Sequence, residues 1–272
     1  GRRQNEKGEK PMARGMTKEE KYRQMIETPV NRLIPRLAVP TIISMLVTSI
    51  YNMADTFFVS QLSTSASGAV GVMFSAMSMI QAIGFTLGMG SGNHISRSLG
   101  NRDEERAGVF AATAFYTAAI IGVGILAVGT LFSRQLVFFL GATETIAPYA
   151  QDYARYILIG APFMMTSFVM NNILRSQGNA VFAMVGITVG GILNMILDPL
   201  LIFGLDLGIS GAAIATMVSQ IISFCILLYQ CNARPDCIKI QLSKFRPSGK
   251  VYGEILHAGL PSAARVWQVQ QQ

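Results

Sequence analysis

The sequence predicts an all-α membrane protein: a bundle of six transmembrane helices followed by the start of a seventh. Three observations carry this. Hydrophobic residues make up 51% of the chain and charged residues only 14%, against about 25% charged in an ordinary soluble domain. The apolar residues fall into runs long enough to cross a hydrocarbon core, which takes about 20 residues. The basic residues gather at the ends of those runs and alternate from side to side.

Taken in order, residues 1–30 are polar and rich in charge and lack the apolar core of a signal peptide. They predict a disordered, basic cytoplasmic tail. Residues 31–230 hold the spans, at 33–59, 68–92, 108–132, 153–174, 179–204 and 207–230. Their many Gly and other small residues suit helices that pack closely inside a membrane. Residues 231–253 read as a cytoplasmic linker. A seventh apolar run opens near Glu254 and turns polar from 266, so 254–272 reads as the truncated start of helix seven.

Loop charge orients these elements. The tail with the entrance of span one (Arg2 to Arg36), the loops after spans two and four, and the segment after span six carry nineteen Lys and Arg. The opposite side carries two, Arg134 and Arg155. Positive residues stay on the cytoplasmic side, so the N-terminus is predicted to be cytoplasmic and the chain to sit in the cell (inner) membrane. The net charge of +7 is accounted for in this way, and no nucleic-acid partner is expected. Cys225, Cys231 and Cys237 form no CxxC, and His94 and His257 are far apart; neither a disulfide framework nor a transition-metal site is predicted.

A short repeat supports a larger plan. Leu37-Ala38-Val39-Pro40-Thr41 opens span one, and Ala258-Gly259-Leu260-Pro261-Ser262 opens the seventh, 221 residues later. Each places small and apolar residues before a proline and a hydroxyl residue. Recurrence after six spans predicts two parallel repeats, twelve helices in two lobes, with residues 31–230 as the N-lobe. Such repeats mark many secondary transporters.

Two acids lie inside the six spans, Asp55 and Asp198. Ionisable groups there are costly and usually face a cavity or pathway. At about 1.5 Å per residue, both sit roughly 8 Å from the outer end of their helices. Asn194 shares a face with Asp198, and Ala212 with Thr216, by i, i+4 spacing. Two carboxylates, a carboxamide and a hydroxyl thus reach one level. Hard oxygen ligands suit a small cation such as sodium; a carboxylate removed from water favours its neutral form, so a proton suits the cluster as well. Asp198 could instead bond backbone groups at a helix end. Pro40 and Pro199 each leave a carbonyl four residues earlier without its helical donor, which makes either a moving hinge or a plain packing kink.

At these residues the chain resembles a known family. Tyr51-Asn52-Met53-Ala54-Asp55-Thr56 resembles the end of the first helix of the multidrug and toxic compound extrusion (MATE) transporters. Gly88-Met89-Gly90 followed by Ser96-Arg97-Ser98-Leu99-Gly100 resembles the turn after their second helix. Asn194-Met195-Ile196-Leu197-Asp198-Pro199, then Gly208-Ile209-Ser210-Gly211-Ala212 through Thr216, resembles their helix five to six signature. The resemblance runs from about Asn31 to Ser262 and is to the bacterial and archaeal type.

It implies a twelve-helix antiporter that exports small, often cationic or aromatic, drug-like compounds in exchange for sodium or protons, with no other cofactor. It implies a cation site at Asp55, Asn194, Asp198 and Thr216, with the backbone carbonyl of Ala212, and a first helix that bends at Pro40. The C-terminal lobe lies outside this sequence and would be its partner in the bilayer. Gln81, Asn171 and Asn172, with Met77, Met164, Met165 and Met170 as a soft wall, are candidates for a drug cavity, although packing accounts for them equally. A lipid-linked sugar flippase of the same superfamily is the nearest alternative; it would line its cavity with Arg or Lys, of which the spans hold essentially none. No nucleophile–base pair or metalloprotease pattern points to an enzyme.

Overall fold

The structure is a computed structural model and describes residues 18–270. It contains nine α-helices among the described residues: α1 (Lys18–Glu27), α2 (Val30–Ser60), α3 (Thr64–Gly100), α4 (Glu104–Leu131), α5 (Ser133–Phe139), α6 (Ala147–Ser176), α7 (Ala180–Pro199), α8 (Gly208–Ala233) and α9 (Gly249–Gln270). Six segments are long and apolar enough to cross a membrane: α2, α3, α4, α6, α8, and α7 with its continuation to Gly204. Each matches one predicted span. The fold is the predicted all-α bundle.

Helix ends depart from the predicted ones because caps, rather than hydropathy, decide where a helix stops. Ser63 starts α3 by accepting a hydrogen bond from the Ala66 amide (3.0 Å), and Asp103 starts α4 by accepting from Arg106 (2.9 Å). The segment Ser96-Arg97-Ser98-Leu99-Gly100, expected to be a turn, is the last helical turn of α3. The chain reverses only at Asn101–Asp103. There Arg102 takes a left-handed backbone (φ 58°), which lets the Asp103 amide reach the Ser98 carbonyl (2.8 Å). Gly178 does the same after α6 without the steric cost a side chain would add.

Two elements lie in segments predicted to be irregular. The helix α1 occupies part of the expected disordered tail; the Tyr22 hydroxyl donates to the Gly100 carbonyl (3.3 Å), and the Arg102 guanidinium covers the Tyr22 ring (4.7 Å). Tail residues 1–17 lie outside the described residues. The expected linker is folded against the bundle and shortened from both ends, because α8 runs to Ala233 and α9 begins at Gly249 rather than near Glu254. The Ile238 amide donates to Gln177 Oε1 (2.7 Å), Asn179 meets Cys237 Sγ (3.0 Å), and the Arg234 guanidinium lies 3.6 Å over Phe182. Cys237, Ile238 and Ile240 are buried. A hydropathy pattern cannot show these contacts, since each joins residues distant in sequence.

The helix α6 is the hub, packed on α3, α4, α7 and α8. Close approach to α3 depends on missing side chains: a Cβ on Gly84 would stand 3.3 Å from the Met165 carbonyl oxygen, and one on Gly88 2.8 Å from Asn172 Nδ2. The helix α2 lies outermost, packed chiefly on α7. It exposes Ile42, Leu46, Ile50, Met53 and Phe57 on its other face.

Candidate functional site

The site lies where α2, α6, α7 and α8 converge. The helix α7 brings Asn194 and Asp198 to one inward face, one turn apart, and α8 brings Ala212 and Thr216; all four are buried, Asp198 and Ala212 completely. Asn194 Nδ2 donates to Asp198 Oδ1 and to Thr216 Oγ1, both at 3.3 Å. One carboxamide therefore ties α7 to α8.

The Asp198 side chain bonds no backbone group among the described residues. Its Oδ2 has no hydrogen-bond partner among the described residues, nor do Asp55 Oδ1, Asn194 Oδ1 or the hydroxyls of Tyr153, Ser167 and Ser219, all shielded from solvent. The Tyr153 hydroxyl stands near Asp55, Asp198 and Thr216 without a well-formed hydrogen bond to any of them. Buried polar atoms are almost always paired. Several orphaned oxygens gathered in one place therefore form a set of hard ligands without a partner, which fits a small cation or a proton. Below them is a cavity of about 30 Å³ bordered by Tyr51, Ser167, Asn194, Thr216 and Ser219, room for a water or one small ion.

The prolines flank this set differently. Pro40 is buried within an α2 that stays helical throughout. Around it Thr41 Oγ1 donates to the Leu37 carbonyl (3.0 Å) and Ser44 Oγ to the Pro40 carbonyl (2.9 Å), bonds of the kind that bend helices. Pro199 ends α7. Its missing donor is followed by a π-helical turn, Leu200–Gly204, in which the Leu205 amide reaches back to the Leu200 carbonyl (3.0 Å). Such wide turns occur often at functional sites. Gly211 of α8 fits against this turn: a Cβ there would be 2.8 Å from the Leu201 carbonyl oxygen.

The residues expected to line a drug cavity lie apart from this set. Met77, Met164, Met165 and Met170 are enclosed in the hydrophobic core of the lobe. Asn171 is buried and donates to the Ala183 carbonyl (2.9 Å), joining α6 to α7, while Asn172 donates to its own helix at Phe168 (2.8 Å). Gln81 is buried on α3. None of them borders the cavity beneath the acids. Apolar surroundings reward a methionine for filling space and an asparagine for pairing a backbone group, and these residues do both.

Sequence reasoning missed the two tyrosines. Tyr51 is buried one turn before Asp55 on the same face, beside Gln220; its i−4 position was the available signal. Tyr153 is completely buried at the start of the apolar part of α6, and nothing local distinguishes it from a membrane-interface tyrosine.

The model of the MatE family matches residues 40–200. A FAD transporter of Shewanella oneidensis is 34% identical over 209 residues, 75% of this chain and 46% of its own length. The multidrug export protein MepA of Staphylococcus saprophyticus is 27% identical over 246 residues, 90% of this chain and 54% of its own. Among solved structures, a MOP superfamily transporter from Pyrococcus furiosus superposes with a TM-score of 0.81 at 34% identity, over 89% of this chain and 54% of that one. The chain spans about half the length of the relatives it matches.

Proposed function

The chain belongs to the MatE family of membrane transporters, and from that premise we propose that it is the N-lobe of a secondary multidrug exporter, driven by antiport of sodium ions or protons. The observation that carries this is the set of buried Asn194, Asp198 and Thr216 with half-buried Asp55, whose shielded oxygens include three, Asp55 Oδ1, Asn194 Oδ1 and Asp198 Oδ2, that the fold leaves unpaired among the described residues. No packing role explains two acids here, because an apolar pair of similar size would avoid the cost of burying them.

The cation draws on both acids, and the acids sit on different helices. Asp55 is on α2, which rests on the bundle chiefly through α7; Asp198 is on α7 itself. Binding therefore favours the arrangement in which α2 and α7 bring their carboxylates together. Release favours the arrangement in which they part, with Pro40 and the π turn after Pro199 taking up the change. A cation moves such a protein only through its different affinity for the two states. Asn194 acts as a positioning residue, holding Asp198 and Thr216 at one distance. The C-terminal lobe completes the substrate path, and the N-terminus lies in the cytoplasm with the basic loops.

In proteoliposomes of the full-length protein, a fluorescent organic cation should be expelled when either a sodium or a proton gradient is imposed alone. Transport indifferent to both gradients would overturn the antiport reading. A second reading follows the FAD transporter, which is more identical to this chain than MepA is: the cargo would then be an anionic flavin dinucleotide, and flavin release from the same vesicles distinguishes it.

A further inference from the structure

At the opposite end of the bundle from the acids, the last turns of α3 and the first turns of α9 border an open cleft of about 660 Å³, the size of a small-ligand pocket. Its position follows from helix length. At 37 residues, α3 is about 55 Å long, well beyond a hydrocarbon core of about 30 Å, so its charged end stands at headgroup level or past it. From α3 the cleft takes Asn93, His94 and Arg97; from α9 it takes Lys250, Glu254 and His257, together with Gly249 and Gly253.

The charges are arranged for an anion. Glu254 is the one acid in the wall among the described residues, and it is already partnered: its Oε2 is 3.4 Å from the guanidinium of Arg106, outside the wall, and 3.8 Å from Nδ1 of His94, within it. His94 is fixed by stacking on Phe110 (4.7 Å between ring centres) and by donating from Nε2 to the Glu254 carbonyl (3.1 Å). Arg97 and Lys250 have no ion pair or side-chain hydrogen bond among the described residues and are exposed, as is His257. Gly249 and Gly253 have open space where a Cβ would point. A ligand can therefore approach the backbone of the first turn of α9, where the amides before Tyr252, which bonds the Ser248 carbonyl (3.0 Å), precede the helical ladder.

We propose that this cleft binds a phosphate ester, gripped by Arg97 and Lys250 and seated on the N-terminal turn of α9. Its source is either the headgroup of an anionic membrane lipid, since basic pockets at the cytoplasmic ends of membrane helices take such groups, or a soluble organic phosphate. The proposal does not depend on the antiport reading, because it uses neither the acids nor the transport cycle.

The test uses the full-length protein in two arms. In nanodiscs of phosphatidylcholine alone, adenosine diphosphate is titrated calorimetrically. From membranes of mixed phosphatidylglycerol and phosphatidylcholine, the retained lipid is identified by native mass spectrometry. Adenosine diphosphate binding in neutral discs assigns the cleft to soluble phosphates; retained phosphatidylglycerol without it assigns the cleft to headgroups. In either case Arg97→Gln with Lys250→Gln should weaken binding by about a hundredfold, roughly tenfold for each charge-assisted contact. Gly253→Asp, which puts a carboxylate into open space in the cleft, should abolish it. Lys239→Gln, which removes a charge from the same end of the molecule outside the cleft, should change it less than threefold, roughly the scatter of a surface charge. Binding of neither probe, or an equal loss in Lys239→Gln, overturns the proposal.

Discussion

Asp198→Asn separates the two roles a buried acid can play. In the structure Oδ1 accepts from Asn194, and Oδ2 has no partner among the described residues. An asparagine with its oxygen at the Oδ1 position keeps the Asn194 bond, and its amide replaces an atom that had no partner. The hydrogen bonds of the fold are then unchanged, so without cation the full-length variant should unfold within about 1 kcal/mol of wild type. A bound cation fares differently, because it meets one carboxylate instead of two. At an effective dielectric near 20 and a separation of about 5 Å, a unit charge contributes about 3 kcal/mol, roughly a hundredfold in affinity. The assay is the unfolding midpoint in detergent as a function of sodium concentration and, separately, of pH. A ligand that binds only the folded state raises this midpoint as its concentration passes the dissociation constant. The variant should need about a hundredfold more cation for the same rise. Asp206→Asn is the control: Asp206 is exposed in the loop before α8 with a left-handed backbone (φ 53°), which asparagine tolerates well. If Asp198→Asn follows the wild-type titration, or loses several kcal/mol without any cation, the carboxylate serves the fold and the coupling argument fails.

Two further outcomes test the architecture. Gly191→Ala would place a Cβ 2.9 Å from Val47 Cγ1 and 3.0 Å from Tyr51 Cδ1, against a comfortable 3.5–4.0 Å or so; it should cost about 1–3 kcal/mol, whereas Gly71→Ala, with nothing within 4 Å, should not destabilise, and equal unfolding midpoints would refute the close seating of α2 on α7. In a background with the exposed Cys225 changed to Ser, Thr64→Cys should react with an impermeant thiol reagent added outside cells and Asn101→Cys should not; labelling of both would overturn the orientation taken from loop charge.

The bundle was legible in the sequence because the bilayer imposes a simple rule: a helix that crosses it needs a long apolar run, and each run was present and continuous. The pairing of Asn194 with Asp198, and of Ala212 with Thr216, was legible for a similar reason, since i, i+4 spacing puts two side chains on one face whatever surrounds the helix. Asp55 stood out because a charge in an apolar run has few bland explanations. Helix ends were less legible: they depend on caps such as Ser63 and Asp103 and on a left-handed residue at Arg102, local details that hydropathy averages away. What only the tertiary structure decided was how faces meet. It placed Tyr153 of α6 among acids from α2 and α7, seated the 231–253 segment on Gln177 and Phe182, sent Asn171 to a backbone carbonyl and the methionines to the core, and opened a basic cleft between Arg97 and Lys250. Each of these joins residues distant along the chain, and their distances are set by the packing of several helices at once, where a single missing side chain, as at Gly88, Gly191 or Gly211, decides how near two backbones can come.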